Sequence, residues 1–136
     1  PRGRGTEVAL RKPVTGIGID LAEVAPLRAA AEPFLALVFT EDERARCAAR
    51  PDPARALAGL FAAKEAAVKA VGGAVAVPQF EIRGHRAVPV SRRGESPPES
   101  GYTVEVAIAD AGADRVLAVA IARAGGPAGT PEDNRP

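Results

Sequence analysis

The sequence predicts a single α+β domain, and three observations predict it. A strand pattern occupies 14–21, a long helix pattern occupies 53–71, and strand patterns follow Gly73. That order keeps helices and strands in separate parts of the chain, unlike a doubly wound parallel sheet. The 136 residues match one domain in size, with no internal repeat. A chain of this length can bury roughly two-thirds of its unfolded surface, enough for a core.

Residues 1–12 are polar, basic and glycine-containing, and read as a flexible N-terminal tail. Residues 124–136 are dense in Gly and Pro and read as a disordered C-terminal tail, leaving 13–123 as the domain. In the strand at 14–21, Ile17, Ile19 and Leu21 share one face, and Gly16, Gly18 and Asp20 share the other. Glycine weakens a strand interior, so two on one face predict the close approach of another backbone or a ligand.

Residues 22–38 read as helical pieces interrupted at Pro26 and Pro33. Thr40 followed by Glu43 has the spacing of a capping box, which predicts a helix to about Ala49. Asp52 as N-cap, Pro53 in the first turn and Gly72-Gly73 at the end bound the long helix. Beyond it, 75–77, 80–83, 87–90, 102–109 and 116–122 read as strands. Residues 91–101 form a polar turn, and 112–115 connect the last two strands as a hairpin.

Composition limits the function classes. A net charge of +1 gives no strong field for nucleic acid or a membrane surface. No apolar run reaches the roughly 18 residues that span a bilayer. Cys47 is the single cysteine, so no intrachain disulfide forms, which fits a reducing compartment. The expectation is a soluble, cytoplasmic protein. Of 18 basic residues only Lys12, Lys64 and Lys69 are lysines. Two of these stand close together on the long helix, where a compact charge differs chemically from an arginine fork.

On that helix Leu57, Phe61, Lys64, Val68 and Val71 follow helical spacing and predict a core-facing stripe with Lys64 at its centre. Glu65 lies beside the stripe and Lys69 one turn further on. Two readings are open. Glu65 and Lys69 form an ordinary i,i+4 pair while Lys64 snorkels to water. Alternatively, the three charges make a working cluster at the core edge. Asp20 either caps the next helix or joins Glu65 in holding a hard divalent cation. Mg²⁺ commonly takes one or two carboxylates and leaves its other positions to water and phosphate. Lys64 and Lys69 would then neutralise the same phosphates, giving a phosphoryl- or pyrophosphate-handling site.

These residues carry a family resemblance. Gly16-Ile17-Gly18-Ile19-Asp20-Leu21 resembles the first motif of holo-acyl-carrier-protein synthases, of the 4′-phosphopantetheinyl transferase superfamily. The segment from Phe61 to Ala70 resembles their F-A-x-K-E-A-x-x-K-A motif, and Phe39 to Glu43 resembles the F-T-x-x-E segment between. The resemblance spans about residues 14–123. It implies a 4′-phosphopantetheinyl transferase-like domain with a long helix on a mainly antiparallel sheet. The implied activity moves 4′-phosphopantetheine from coenzyme A to a serine of an apo acyl carrier protein. Asp20 and Glu65 would be Mg²⁺ ligands, and Glu65 would also help deprotonate the serine, directly or through water. Lys69 would contact the phosphates and stabilise charge in transfer, with Lys64 nearby. Short members form homotrimers with sites between subunits.

The third family motif, S-x-S-H or S-x-T-H, is altered. Val106-Ala107-Ile108-Ala109-Asp110 stands there, with Ala107 at the serine position and Asp110 at the histidine position. Asp110 is a candidate at the coenzyme A phosphates, either as a third metal carboxylate or as a hairpin acid. Leu60 replaces a frequent Arg, and the single histidine, His85, reads as a turn or surface residue. The leading function is therefore a Mg²⁺-dependent transferase. The alternative is a degenerate, non-catalytic homologue that binds a carrier protein or coenzyme A. A third reading is an α+β domain whose charged helix is merely solvated.

Overall fold

The computed structural model describes residues 12–73, 75–91 and 101–125. Strand β1 (Val14–Glu23) is followed by the single turn α1 (Ala25–Arg28), α2 (Glu32–Val38), α3 (Glu41–Ala48) and the long helix α4 (Pro53–Ala70). A 3₁₀ turn at Val77–Gln79 leads into β2 (Phe80–Arg83), β3 (Arg86–Pro89), β4 (Tyr102–Asp110) and β5 (Arg115–Ala124). The strands form one sheet in the order β1-β5-β4-β3-β2, and every neighbouring pair is antiparallel. The fold is α+β, as expected.

Local chemistry sets the helix starts. Pro26 and Pro33 lie in the first turns of α1 and α2, so they begin the helical pieces. The Thr40 hydroxyl accepts from the Glu43 N–H at 3.1 Å, and Glu43 Oε1 accepts from the Thr40 N–H at 2.9 Å. Asp52 Oδ1 accepts from the Arg55 N–H at the start of α4.

Helix α4 packs on β1, β5 and β4. Its buried face differs from the expected stripe. Ala58, Ala62, Ala63, Ala66 and Ala67 are fully buried, whereas Leu57, Phe61, Val68 and Val71 lie at the margin of the core. The glycines of β1 explain this. A Cβ on Gly16 would lie 1.9 Å from the Ala70 carbonyl oxygen, and one on Gly18 would lie 1.9 Å from the Ala66 carbonyl oxygen. Backbone therefore meets backbone, as the glycine face predicts, and only alanines fit between helix and sheet. Ala118, Ala120 and Ala122 of β5 continue this thin layer.

Three further expectations change. The segment at 75–77 forms no strand, because Pro78 sits in a 3₁₀ turn and Val75 is buried at a bend. Strand β1 continues to Glu23, and β5 reaches Ala124, one residue into the expected tail. The tail readings at 1–11 and 126–136, and most of the turn at 91–101, lie outside the described residues.

The sheet's second face carries no helix among the described residues. Ile17, Ile19 and Leu21 point there, at 62%, 56% and 50% exposure. They pair across the strands with Ile121, Val119 and Leu117. No described helix is long and apolar enough to cross a membrane.

Candidate active site

The close contact of α4 with β1 brings Asp20 and Glu65 to one groove. Asp20 is on the helix-facing side of β1, two residues beyond Gly18. Glu65 precedes Ala66, whose carbonyl meets that glycine. The groove has a volume of about 470 Å³, and Asp20, Glu23, Leu27, Phe61, Glu65 and Arg115 line it.

Lys69 reaches back from the last turn of α4. Its Nζ donates to Asp20 Oδ1 at 3.1 Å and to the Ile19 carbonyl at 3.0 Å. The ammonium pairs with the strand acid, in place of the i,i+4 pair with Glu65. Glu65 is half-buried and accepts no hydrogen bond among the described residues. Burial first, and the Asp20 charge second, raise its carboxyl above the usual glutamate value, and Lys69 opposes them. Asp20, Glu23 and Glu65 thus share one groove, three carboxylates against the Arg115 guanidinium and the Lys69 ammonium that pairs with Asp20.

That surplus of hard anionic oxygen suits a divalent cation. Among the described residues no three His, Cys, Asp or Glu side chains form a metal cluster. An ion held by Asp20 and Glu65 would keep positions for water and phosphate, as Mg²⁺ does.

Lys64 is placed elsewhere, which corrects its expected contact with phosphate. Its side chain is 0% exposed, with Nζ 2.6 Å from Glu43 Oε1. It also donates to the Val38 carbonyl at 2.7 Å. It neither snorkels to water nor reaches the groove. The sequence reading gave Glu43 only a capping role. A lysine predicted at the centre of a core stripe was the available signal that a buried acid must face it.

Asp110 is also separated from the Asp20–Glu65 pair, so it is no third carboxylate there. It ends β4, 74% exposed, and pairs with Arg55 Nη1 at 2.7 Å. The same guanidinium donates to the carbonyls of Ala113, Gly112 and Arg115, tying the β4–β5 hairpin to α4. Arg55 and Asp110 line a second groove of about 530 Å³ with Arg46, Arg50, Asp52 and Leu60. His85 is exposed in the β2–β3 turn, as expected.

The model of the family described as the 4′-phosphopantetheinyl transferase superfamily matches residues 16–120. A holo-[acyl-carrier-protein] synthase of Chlorobaculum parvum is 36% identical over 116 residues, 78% of this chain and 94% of that protein. One from Anaeromyxobacter sp. (strain K) is 52% identical over 66 residues, 43% of this chain. In that alignment the chain spans about half the length of the relative, 52%. The crystal structure of a Bacillus anthracis holo-(acyl-carrier-protein) synthase in complex with CoA (3′,5′-ADP) superposes with a TM-score of 0.63. It is 25% identical, with 82% of this chain and 98% of that chain covered.

Proposed function

This chain belongs to the 4′-phosphopantetheinyl transferase superfamily, and from that premise we propose that it transfers 4′-phosphopantetheine from coenzyme A to a serine of an apo acyl carrier protein. The observation that carries the reading is the half-buried, unbonded Glu65 carboxylate beside Asp20, with Lys69 fixed between helix and strand. Two acids and a lysine at one groove suit a pyrophosphate and an attacking hydroxyl.

In the proposed reaction the serine oxygen bonds to the phosphorus that carries pantetheine. The bond from that phosphorus to the bridging oxygen breaks, and 3′,5′-adenosine bisphosphate leaves. Glu65 accepts the serine proton, directly or through one water. Lys69 places positive charge where the leaving phosphate gains negative charge. Asp20 orients the Lys69 ammonium and, with Glu65, would hold Mg²⁺. When bound, Mg²⁺ neutralises pyrophosphate charge. Lys64 is assigned no phosphate contact, because its ammonium is buried against Glu43. Asp110 is assigned none either, because it is an anion committed to Arg55.

A homotrimer is part of the proposal. The sheet face with Ile17, Ile19 and Leu21, which no helix covers among the described residues, supports it, since apolar surface of this kind marks interaction sites.

The test is incubation with coenzyme A, Mg²⁺ and a panel of apo carrier proteins, read as mass gain on the carrier. The expected result is one phosphopantetheine added to at least one carrier. Protein of verified fold that modifies none overturns the transferase reading. Coenzyme A binding without turnover then favours the non-catalytic alternative, which the altered residues Ala107 and Asp110 motivate.

A further inference from the structure

Glu43 and Lys64 are both fully buried, and the proposed chemistry uses neither. Beyond the 2.6 Å ion pair, Glu43 Oε2 accepts from the Ile82 N–H at 2.7 Å, and Oε1 accepts from the Thr40 N–H at 2.9 Å. Lys64 Nζ donates to the last carbonyl of α2, at Val38, and lies 5.3 Å from the centroid of the Phe39 ring. The Thr40 hydroxyl that seats Glu43 donates onward to Glu81 Oε2 at 2.5 Å. One ammonium on α4 therefore ties together the end of α2, the start of α3 and strand β2.

The opposite side of α4 is smooth. Alanines of the helix face glycines and alanines of the sheet. Such a contact fixes the distance between helix and sheet. Ile108 against Gly59 is one of few large side chains that interlock there, so the polar ties of Arg55, Lys64 and Lys69 add to the control of rotation and axial slip. Lys64 directly precedes Glu65. A bond set at Lys64 thus fixes the azimuth of α4 at the residue beside the proposed base.

We propose that the buried Glu43–Lys64 pair is a positioning device that sets the rotation and register of α4, and thereby aims Glu65 at Asp20. The proposal rests on the transferase reading for its catalytic consequence. The pair acts through Glu65 and touches no substrate. A buried ion pair adds little net stability, because desolvation offsets its attraction, and setting register is its best-attested use. Replacing both charges with apolar groups removes the pair without leaving one charge buried alone.

The experiment uses the full chain with Glu43→Leu and Lys64→Met combined. The variant leaves the Ile82 and Thr40 N–H groups and the Val38 carbonyl without these partners, so its Tm should fall, and a cooperative melting curve verifies that it still folds. Its kcat for carrier modification falls at least ~10-fold while KM for coenzyme A stays within about twofold, as displacement of a reacting group requires. A folded variant with wild-type kcat overturns the proposal. A second readout needs no turnover. Amide exchange over residues 62–69 should quicken in the folded variant by about tenfold or more relative to β4 and β5, since the segment has lost its anchor. Unchanged exchange also overturns the proposal. If the unaltered protein modifies no carrier, the transferase reading fails, and amide exchange alone decides whether the pair holds α4. If the double variant does not fold, Thr40→Val replaces it, because it removes the hydroxyl that accepts from the Glu43 N–H and so loosens the start of α3 that carries Glu43, while keeping both charges. A kcat lowered by about threefold at constant KM supports positioning, and an unchanged kcat overturns it.

Discussion

Lys69 Nζ lies 3.1 Å from Asp20 Oδ1, so the last turn of α4 is clamped to β1 through an acid that lines the groove. The lysine is 54% exposed and the acid 18%. An ion pair this open to solvent contributes little to stability. Lys69→Ala should therefore leave Tm nearly unchanged while kcat for carrier modification falls by roughly 10²-fold. Steady-state kinetics beside a melting curve checks this. A near-normal rate rejects the role given to Lys69.

Glu65 has a raised carboxyl pKa, mainly from burial and then from Asp20. Between the ordinary glutamate value and the raised one, the folded state binds more protons than the unfolded state. Stability contributed by this group therefore falls as pH rises through that window. In the metal-free protein, Glu65→Gln should raise Tm at neutral pH and have little effect below the glutamate range. It should also abolish most transfer. Calorimetry in a chelating buffer at several pH values measures the first effect, and a Tm difference independent of pH contradicts it.

Gly18 admits no side chain, because a Cβ would overlap the Ala66 carbonyl oxygen at 1.9 Å. Gly18→Ala should cost about 3 kcal/mol or more, since backbone on both sides must separate. Urea unfolding reads the loss. Because the separation moves Asp20 from Glu65, any folded fraction should also transfer poorly.

The apolar outer face predicts an assembly that a charge disrupts. Ile19, exposed in the single chain and paired with Val119, lies between Ile17 and Leu21 on that face. Ile19→Glu should convert the proposed trimer to monomer in sedimentation velocity at micromolar concentration. The melting curve of the monomer should still be cooperative. An unchanged sedimentation coefficient places the interface elsewhere.

Arg55 and Asp110 differ in what they support. Asp110 offers an exposed carboxylate to one guanidinium, whereas that guanidinium also serves three hairpin carbonyls. Asp110→Asn should change stability by less than ~1 kcal/mol. Arg55→Ala should cost more. Equilibrium unfolding that reverses this order rejects the arrangement.

Much of this molecule is legible from its residues. The capping box at Thr40 and Glu43, the bounds of α4 and the close backbone approach at Gly16 and Gly18 all follow from local chemistry. The buried face of α4 does not. Leu57, Phe61 and Val68 have the stronger hydrophobic signal, yet the glycines draw the helix so near that only alanine fits. The sequence shows the glycines and the alanines separately, and only the tertiary contact joins them. Lys64 illustrates the same limit. Its spacing places it in the core, but its partner Glu43 lies on another helix, and no local rule pairs the two. Asp20 and Glu65 are named by motif, and their shared groove depends on the same helix–strand approach.

The position of β1 at the sheet edge has a consequence for biosynthesis. Among the described strands β1 pairs with β5 alone, so Ile19 waits for Val119 until β2, β3 and β4 have been made. The strand that carries Asp20 is made before the other described strands, and the strand that pairs with it is made last among them. Until then its row of isoleucines and its unpaired backbone face the surroundings, the state in which nascent chains aggregate. The α2–α4 and β2 segments, joined through Glu43 and Lys64, are all complete before β5 is translated. A chain stalled before β5 can therefore form its charged interior and still lack the strand partner that secures Asp20.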